Sequence, residues 1–502
     1  MEGFEQFVGV NFWTMIFAWV NLLILYLFFK KLLFVPIKNM IDSRQKEIDD
    51  MYLEAEDAQR KAENLKVKYE EKMSQAEEES EQIVKDAVRR AQLKEEEILR
   101  EANRQAERTM ERAHEQIALE KKQAINEVKD GDTLVFPKGY YVTGTLALRS
   151  NITIRLEKGA ELVGSRNIEH YYACGFYHNE MKDTVSLIYA LDCENITFEG
   201  EGKIQLSGDA FVDFDTFLPP ELEGWDITKE YSEQMVIAVV KRPTQPIFFN
   251  NCKNIKITGI KVFNSPCWTM VFSNCENIEV SNVYVDNHNR IPNNDGVHFS
   301  ASRNIVVKNS TFLCGDDCFA ATCITNWDGI CENMVISDCL MSSRSAAIRF
   351  GHLESKVRNI VVKNVKIIRS NRALAVFCGD NGYVKNAVFE NIEADTKIHA
   401  GYWWGKGEPI VVCGADVNGE ISDVVFKDCK FVHENPALFV GNNGNVKNVI
   451  LTNCQFKQED GSTTDYYKNK MDLQPNIPDL IPTVFDKNES VFVKEVDGFK
   501  VQ

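Results

Sequence analysis

Three patterns of apolar and polar positions follow one another along the chain. Residues 7–29 carry no charge, and Asn11, Thr14 and Asn21 are the clearly polar groups among them. Roughly 20 such residues cross a hydrocarbon core of about 30 Å, so this stretch is predicted to be a transmembrane helix. Residues 37–130 contain neither Gly nor Pro and are dominated by Ala, Glu, Lys, Arg and Gln. That composition favours helix throughout, and a helix of this length extends about 140 Å. Its small or apolar positions recur every eleven residues, as in Ala91, Ala102, Ala113 and Ala124. Such a repeat gives right-handed supercoiling with close approach at the alanines, so the segment is predicted to be a coiled-coil stalk that dimerises.

Beyond residue 131 the periodicity changes to short alternating runs, each led by Asn or Asp and then Ile or Val. The leading positions are Asn195, Asn254, Asn277, Asn304, Asn333, Asn359, Asn386, Asp423 and Asn448, mostly 23 to 29 apart. One coil per repeat, with like residues stacked from coil to coil, describes a solenoid. The fold class is thus an all-β right-handed parallel β-helix preceded by a transmembrane helix and a long α-helical coiled-coil stalk. The expected segments are 1–36 (anchor), 37–130 (stalk), 131–460 (β-helix) and 461–502, an irregular tail containing Pro475, Pro478 and Pro482. An open solenoid end needs a cap, and residues 123–128 are expected to supply one.

Composition sharpens this division. All fourteen cysteines lie beyond residue 130. The formal charge of −17 divides into −6 for residues 1–130 (21 basic, 27 acidic) and −11 for the remainder (36 basic, 47 acidic). Neither part has the basic footprint that nucleic acid demands. Lys30, Lys31 and Lys38 follow the apolar stretch, and by the positive-inside rule they place the rest of the chain in the cytoplasm. The acidic residues Glu2 and Glu5 before it, and the lack of a small-residue cleavage site after it, argue against a secretion signal. Cysteines on that side are expected reduced. Cys252 and Cys275 share a ladder position, and Cys314, Cys318, Cys323 and Cys331 are expected to be buried packing rather than a zinc site. No cofactor or metal is called for.

The chemistry concentrates in three aspartates: Asp295 in Asn293-Asn294-Asp295-Gly296, and Asp316 and Asp317 in Cys314-Gly315-Asp316-Asp317-Cys318. Coils stack about 4.8 Å apart, so carboxylates at corresponding positions would lie within several ångströms of one another. Like charges so close favour one protonated and one ionised group, which is what glycoside hydrolysis uses. Asp-Gly and Gly-Asp-Asp are equally ordinary turn sequences. Arg344, Arg349, His352 and Arg372 are candidate cations beside them, with a flank ion pair or a turn histidine as the plain alternatives. The Tyr402-Trp403-Trp404-Gly405-Lys406-Gly407-Glu408 stretch reads as an exposed loop in which Trp403, Trp404 and Lys406 could form a sugar platform, core packing being the alternative. Trp268 is expected to pack structurally.

Two resemblances follow from these motifs. The short acidic start, the single span ending in FFKKLLFVPIKNMIDSRQKEI and the Ala/Glu/Arg-rich rod resemble subunit b of the F-type ATP synthase over residues 1 to about 125. That resemblance implies a non-catalytic stalk, bacterial, with other synthase subunits as partners. The order Arg242-Pro243, then Asn264-Ser265-Pro266-Cys267-Trp268-Thr269, then Asn293-Asn294-Asp295-Gly296, then Gly315-Asp316-Asp317-Cys318 resembles glycoside hydrolase family 28, the polygalacturonases and relatives, over about residues 131–460. It implies an inverting hydrolase of pectin-like, uronate- or rhamnose-containing oligosaccharides, the alternatives being a synthase stalk subunit with an appended domain or a carbohydrate-binding β-helix without catalysis. Asp316 would be the general acid, Asp295 and Asp317 would hold and activate water, and Asn293 would orient the first carboxylate. Two family motifs differ here: Ser343-Arg344-Ser345 stands where Gly-His-Gly is expected, with Gly351-His352-Leu353 following, and Ala375-Val376-Phe377 stands where Arg-Ile-Lys grips the galacturonate carboxylate.

Overall fold

The structure is a computed structural model, and it describes residues 12–31, 40, 94, 131–178, 182–217, 236–237, 241–323, 329–379, 381–399, 404–459, 481, 485 and 489–502. The chain divides into two units, residues 1–107 and 108–502. In the first unit, Phe12–Phe29 is an α-helix of 18 residues with a mean hydropathy of 2.0 and no buried side chain. Its length and composition suffice to cross a membrane. The eleven-residue repeat of the stalk, the expected boundary at 130 and the capping segment 123–128 lie outside the described residues.

The second unit is a parallel β-helix. Its coils form a 22-stranded and an 11-stranded parallel sheet, and two antiparallel strand pairs, Ala173–His178 with Lys182–Val185 and Asp213–Phe217 with Val236–Ile237, lie in the connections between them. Register is strict over many coils. Ile255 pairs Ile278, which pairs Ile305, then Met334, Ile360 and Ala387 in succession. Side chains alternate across each strand, so this row buries together while the intervening lysines and glutamates face solvent. On the 11-stranded side Phe249, Phe272 and Phe299 stack with ring centroids 5.1 and 5.0 Å apart, and Phe319 and Phe350 extend the column.

The leading asparagines have a physical reason. Asn195, Asn254, Asn277, Asn304, Asn333, Asn359 and Asn386 all sit at positive φ, between 54° and 59°, a left-handed conformation that asparagine tolerates. Each donates its Nδ2 to the Oδ1 of the asparagine one coil earlier, at 2.8–3.2 Å, an unbroken chain from Asn386 back to Asn151. One residue type thus turns the backbone and ties the coils together.

Cys252 and Cys275 are buried, free thiols in successive coils. The tail departs from expectation. Val491–Lys494 pairs with Ala437–Val440, and the short strands Val496–Asp497 and Lys500–Val501 pair with Val446–Thr452, so residues 491–501 build one more coil. It was unreadable from the repeat because about thirty residues and three prolines separate it from the preceding coil, and no leading asparagine announces it.

The outward face of the 11-stranded sheet positions the site. One register row on it runs Tyr189, Phe248, Val271, His298, Ala320, Arg349, Ala375, Val411, Leu438 and Phe492. At the early end Cys174, Trp268 and Phe176 cover the apolar members. At the late end Ile481 and Phe485 do so. The cover gives way to polar chemistry at His298, Ala320 and Arg349.

Candidate active site

Asp295 ends the turn before Val297–Ser300, and Asp316 and Asp317 end the turn before Phe319–Thr322. Because Val297 pairs Phe319, Asp295 and Asp317 occupy the same register position in adjacent coils, and Gly296 N donates to Asp317 O at 2.9 Å. Parallel strands set such neighbours about 4.8 Å apart. Asn294 locks the two turns together, its Nδ2 donating to His288 O at 2.7 Å and its Oδ1 accepting from Gly315 N at 2.7 Å. A Cβ on Gly315 would lie 2.7 Å from that same Oδ1, so the turn before the paired aspartates requires glycine.

The three carboxylates are not equivalent. Asp317, 1% exposed, is held by three donors: its Oδ1 accepts from Ser345 Oγ (2.8 Å) and Ala346 N (3.0 Å), and its Oδ2 from Arg349 Nε (2.5 Å). Asp295 is equally buried and its Oδ2 lies 3.1 Å from His298 Nδ1. Asp316 is the most exposed at 8%, and its Oδ1 accepts from Asp317 N at 2.9 Å. Arg349 reaches them from the coil after Asp316 and Asp317, two coils beyond Asp295, with Ala320 as its register neighbour. Burial works against its charge, but Asp317, Asp295 and Asp316 together outweigh that and raise the guanidinium pKa. Its Nη1 is buried with no acceptor among the described residues.

His298 is a site residue that the sequence did not reveal. Its Nε2 lies 2.8 Å from Thr322 Oγ1, and Trp268 stacks on its ring at 4.2 Å. Burial, then the charge of Arg349, pulls its pKa down to about 3, so the ring is neutral. Asn293 is seen against Arg242. Its Oδ1 accepts from Arg242 Nη2 at 3.0 Å, while Arg242 Nη1 donates to the carbonyls of Pro266 and Pro292 at 2.8 and 2.9 Å. Asn293 therefore secures Arg242, and His298 is a side chain seen against Asp295. Trp268, expected as packing, does pack, but on the histidine that meets a carboxylate.

The remaining candidates separate into two groups. Trp404 is half-buried, its ring 5.4 Å from the Arg349 guanidinium and 5.7 Å from His352, so all three gather beside the carboxylates. Arg344 is buried between Ser343 and Ser345, and its charge adds to burial and Arg290 in lowering the pKa of His288. Lys406 and Arg372 do not belong to an exposed platform. Lys406 is 1% exposed, with its amide donating to Glu408 Oε2 at 2.5 Å and its carbonyl accepting from Asn435 Nδ2. Arg372 Nη2 is bonded to Glu408 Oε1 at 2.8 Å in a fully buried ion pair. The loop reads as exposed from its glycines and charges because its internal pairing partner, Arg372, lies one coil earlier. Trp403 lies outside the described residues.

Comparison with known proteins divides the chain at the same place as its composition. The ATP synthase B/B' CF(0) family matches residues 14–131, and the glycosyl hydrolases family 28 matches residues 132–471. The sodium-ion-specific ATP synthase subunit b of Clostridium paradoxum is 39% identical over 127 residues, 25% of this chain and 75% of that protein. An exopolygalacturonase of Arabidopsis thaliana is 26% identical over 202 residues, 38% of this chain and 44% of that protein. The chain spans about half the length of the polygalacturonase relatives it matches. The family 28 exopolygalacturonase of Yersinia enterocolitica has a similar fold, with a TM-score of 0.50 at 17% identity, covering 75% of this chain and 74% of that one.

Proposed function

Since the chain belongs to glycosyl hydrolases family 28 through residues 132–471 and to the ATP synthase b family through residues 14–131, we propose that its β-helix hydrolyses uronate-containing pectic oligosaccharides with inversion. The observation that carries this reading is the convergence of Asp295, Asp316 and Asp317 on one arginine where the apolar cover of the sheet gives way. Asp316, the most accessible carboxylate, protonates the departing glycosidic oxygen. Asp295 accepts the proton of the attacking water. Asp317 has both oxygens taken by protein donors, so its work is to hold Arg349 and to shape the site. Arg349, clamped between Asp317 and the face of Trp404, offers Nη1 to a uronate carboxylate, and a buried donor gains most from such an acceptor. Arg349 thereby replaces the cation missing at residues 375–377.

The amino-terminal part is a non-catalytic stalk. Its apolar helix anchors the protein, with the β-helix on the cytoplasmic side of a bacterial membrane, and the stalk pairs with a second copy or with other synthase subunits. The test is release of reducing ends from a panel of pectic fragments, with the anomer of the first product followed by NMR. Wild-type protein should release an inverted product, and Asp316→Asn should abolish release while keeping the β-sheet circular dichroism. Turnover undiminished in Asp316→Asn defeats the assignment.

A further inference from the structure

We infer that His298 is a positioning residue for Asp295: as a neutral imidazole protonated on Nδ1, it donates to Asp295 Oδ2 and keeps that carboxylate ionised and in one orientation for the attacking water. The inference rests on the hydrolase reading above and adds to it a residue and a tautomer.

The argument begins with the partners of the ring. His298 is 1% exposed, and both its nitrogens have side-chain partners: Asp295 Oδ2 at 3.1 Å from Nδ1 and Thr322 Oγ1 at 2.8 Å from Nε2. An ionised carboxylate can only accept, whereas a hydroxyl can donate. With a neutral ring, a single arrangement satisfies both contacts. Nδ1 carries the proton and gives it to Asp295, while Nε2 accepts from Thr322. The charged groups facing the ring are Asp295 from its own turn, Asp317 from the next coil and Arg349 from the coil after that. The nearby Arg349 cation opposes a second positive charge on the imidazole, and burial opposes it further.

Position is over-determined as well. Trp268, one coil earlier, stacks on the ring with planes 29° apart. Val271 and Ala320 flank it in register along the sheet. The ring therefore has little freedom, and a donor so fixed also fixes the carboxylate it meets. A hydrogen bond to the charged form lowers the pKa of an acid, so losing it should move the titration of Asp295 upward.

Two substitutions separate this role from packing. His298→Phe keeps a ring for Trp268 and removes the donor; His298→Asn removes the ring and keeps an N–H where Nδ1 lies. In full-length protein, His298→Phe should lower kcat roughly 10- to 100-fold, with KM changed less than about threefold. It should also raise the acid limb of the pH profile by about one unit. His298→Asn should recover part of kcat and return the limb toward the wild-type position. Nitrogen-15 NMR of wild-type protein should show His298 protonated on Nδ1, and this readout is independent of activity. The inference is overturned by an acid limb unmoved in His298→Phe, by equal losses and equal limbs in both variants, or by a proton on Nε2. Should wild-type protein release no reducing ends from any pectic fragment, the hydrolase reading fails, and the NMR tautomer still decides the His298–Asp295 contact.

Discussion

The Arg349–Asp317 pair is the most consequential single contact in the site, and removing both partners should cost less than the sum of the two separate losses. The Arg349 side chain is 8% exposed and that of Asp317 1%, so neither charge can be rescued by water. Losing one partner of a buried pair costs about 3–5 kcal/mol. The two halves differ in what they leave behind. After Asp317→Asn, Arg349 still faces Asp295 and Asp316, so that variant should fall near 3 kcal/mol, the low end of that range. After Arg349→Met, three neighbouring carboxylates lose their shared cation and Asp317 keeps two neutral donors, so that variant should approach 5 kcal/mol. The double variant should cost about 2–3 kcal/mol less than the sum of the two. Urea unfolding of the full chain in detergent measures all four corners of the cycle. Trp404, against Arg349, and Trp268, against His298, report locally by fluorescence. Additivity within about 0.5 kcal/mol would refute the pairing, and a larger loss for Asp317→Asn than for Arg349→Met would refute the assignment of the surrounding charges.

Three further outcomes follow from individual residues. Trp404→Ala removes the aromatic face on which Arg349 rests and should raise KM about tenfold on uronate fragments with kcat changed less, as steady-state kinetics would show. His433 is fully buried, and burial lowers its pKa to about 4. Unfolded histidine titrates near 6.5, so the unfolded chain binds more protons between about pH 4 and 6.5. Stability is therefore complete above that window and falls through it by on the order of 3 kcal/mol, and His433→Phe should flatten this part of a stability-against-pH curve. Asn304→Ala should destabilise by about 1–2 kcal/mol, through the left-handed backbone and the lost amide contact, and Asn304→Gly by less, since glycine adopts that φ freely; thermal unfolding of the two variants compares them.

What was legible in the sequence was whatever repeats. The asparagine ladder, the coil period and the three aspartates on adjacent turns could be read because each coil restates the position of the last. Register across coils was not legible. Gly296-Val297-His298-Phe299 reads as an ordinary strand, and only the pairing of Val271, His298, Ala320 and Arg349 puts an imidazole and a guanidinium on one row. One signal was available. The second residue of four successive strands runs Phe248, Val271, His298, Ala320, and a histidine among apolar residues marks where the covered face gives way. Glu408 misled for the opposite reason, since local composition indicates exposure when the neutralising partner sits 36 residues away.

The same lateral logic explains why the charges stand where they do. Asp295, Asp317, Ala346, Arg372 and Glu408 share one register position across five coils. A ladder about 4.8 Å per rung forces like neighbours together, so two successive aspartates can stay buried only if other rows supply donors. His298 and Arg349, both on the outward row, do this for Asp295 and Asp317. Ala346 gives the ladder a neutral rung, and its amide binds Asp317. Arg372 and Glu408 then close the sequence as a self-contained pair that leaves no charge for a ligand. On the proposed reading, a sugar chain lying along the stack meets the acids at one end and the guanidinium with its aromatic cover at the other. The scissile bond and the uronate that identifies it are then read by neighbouring coils of the same solenoid.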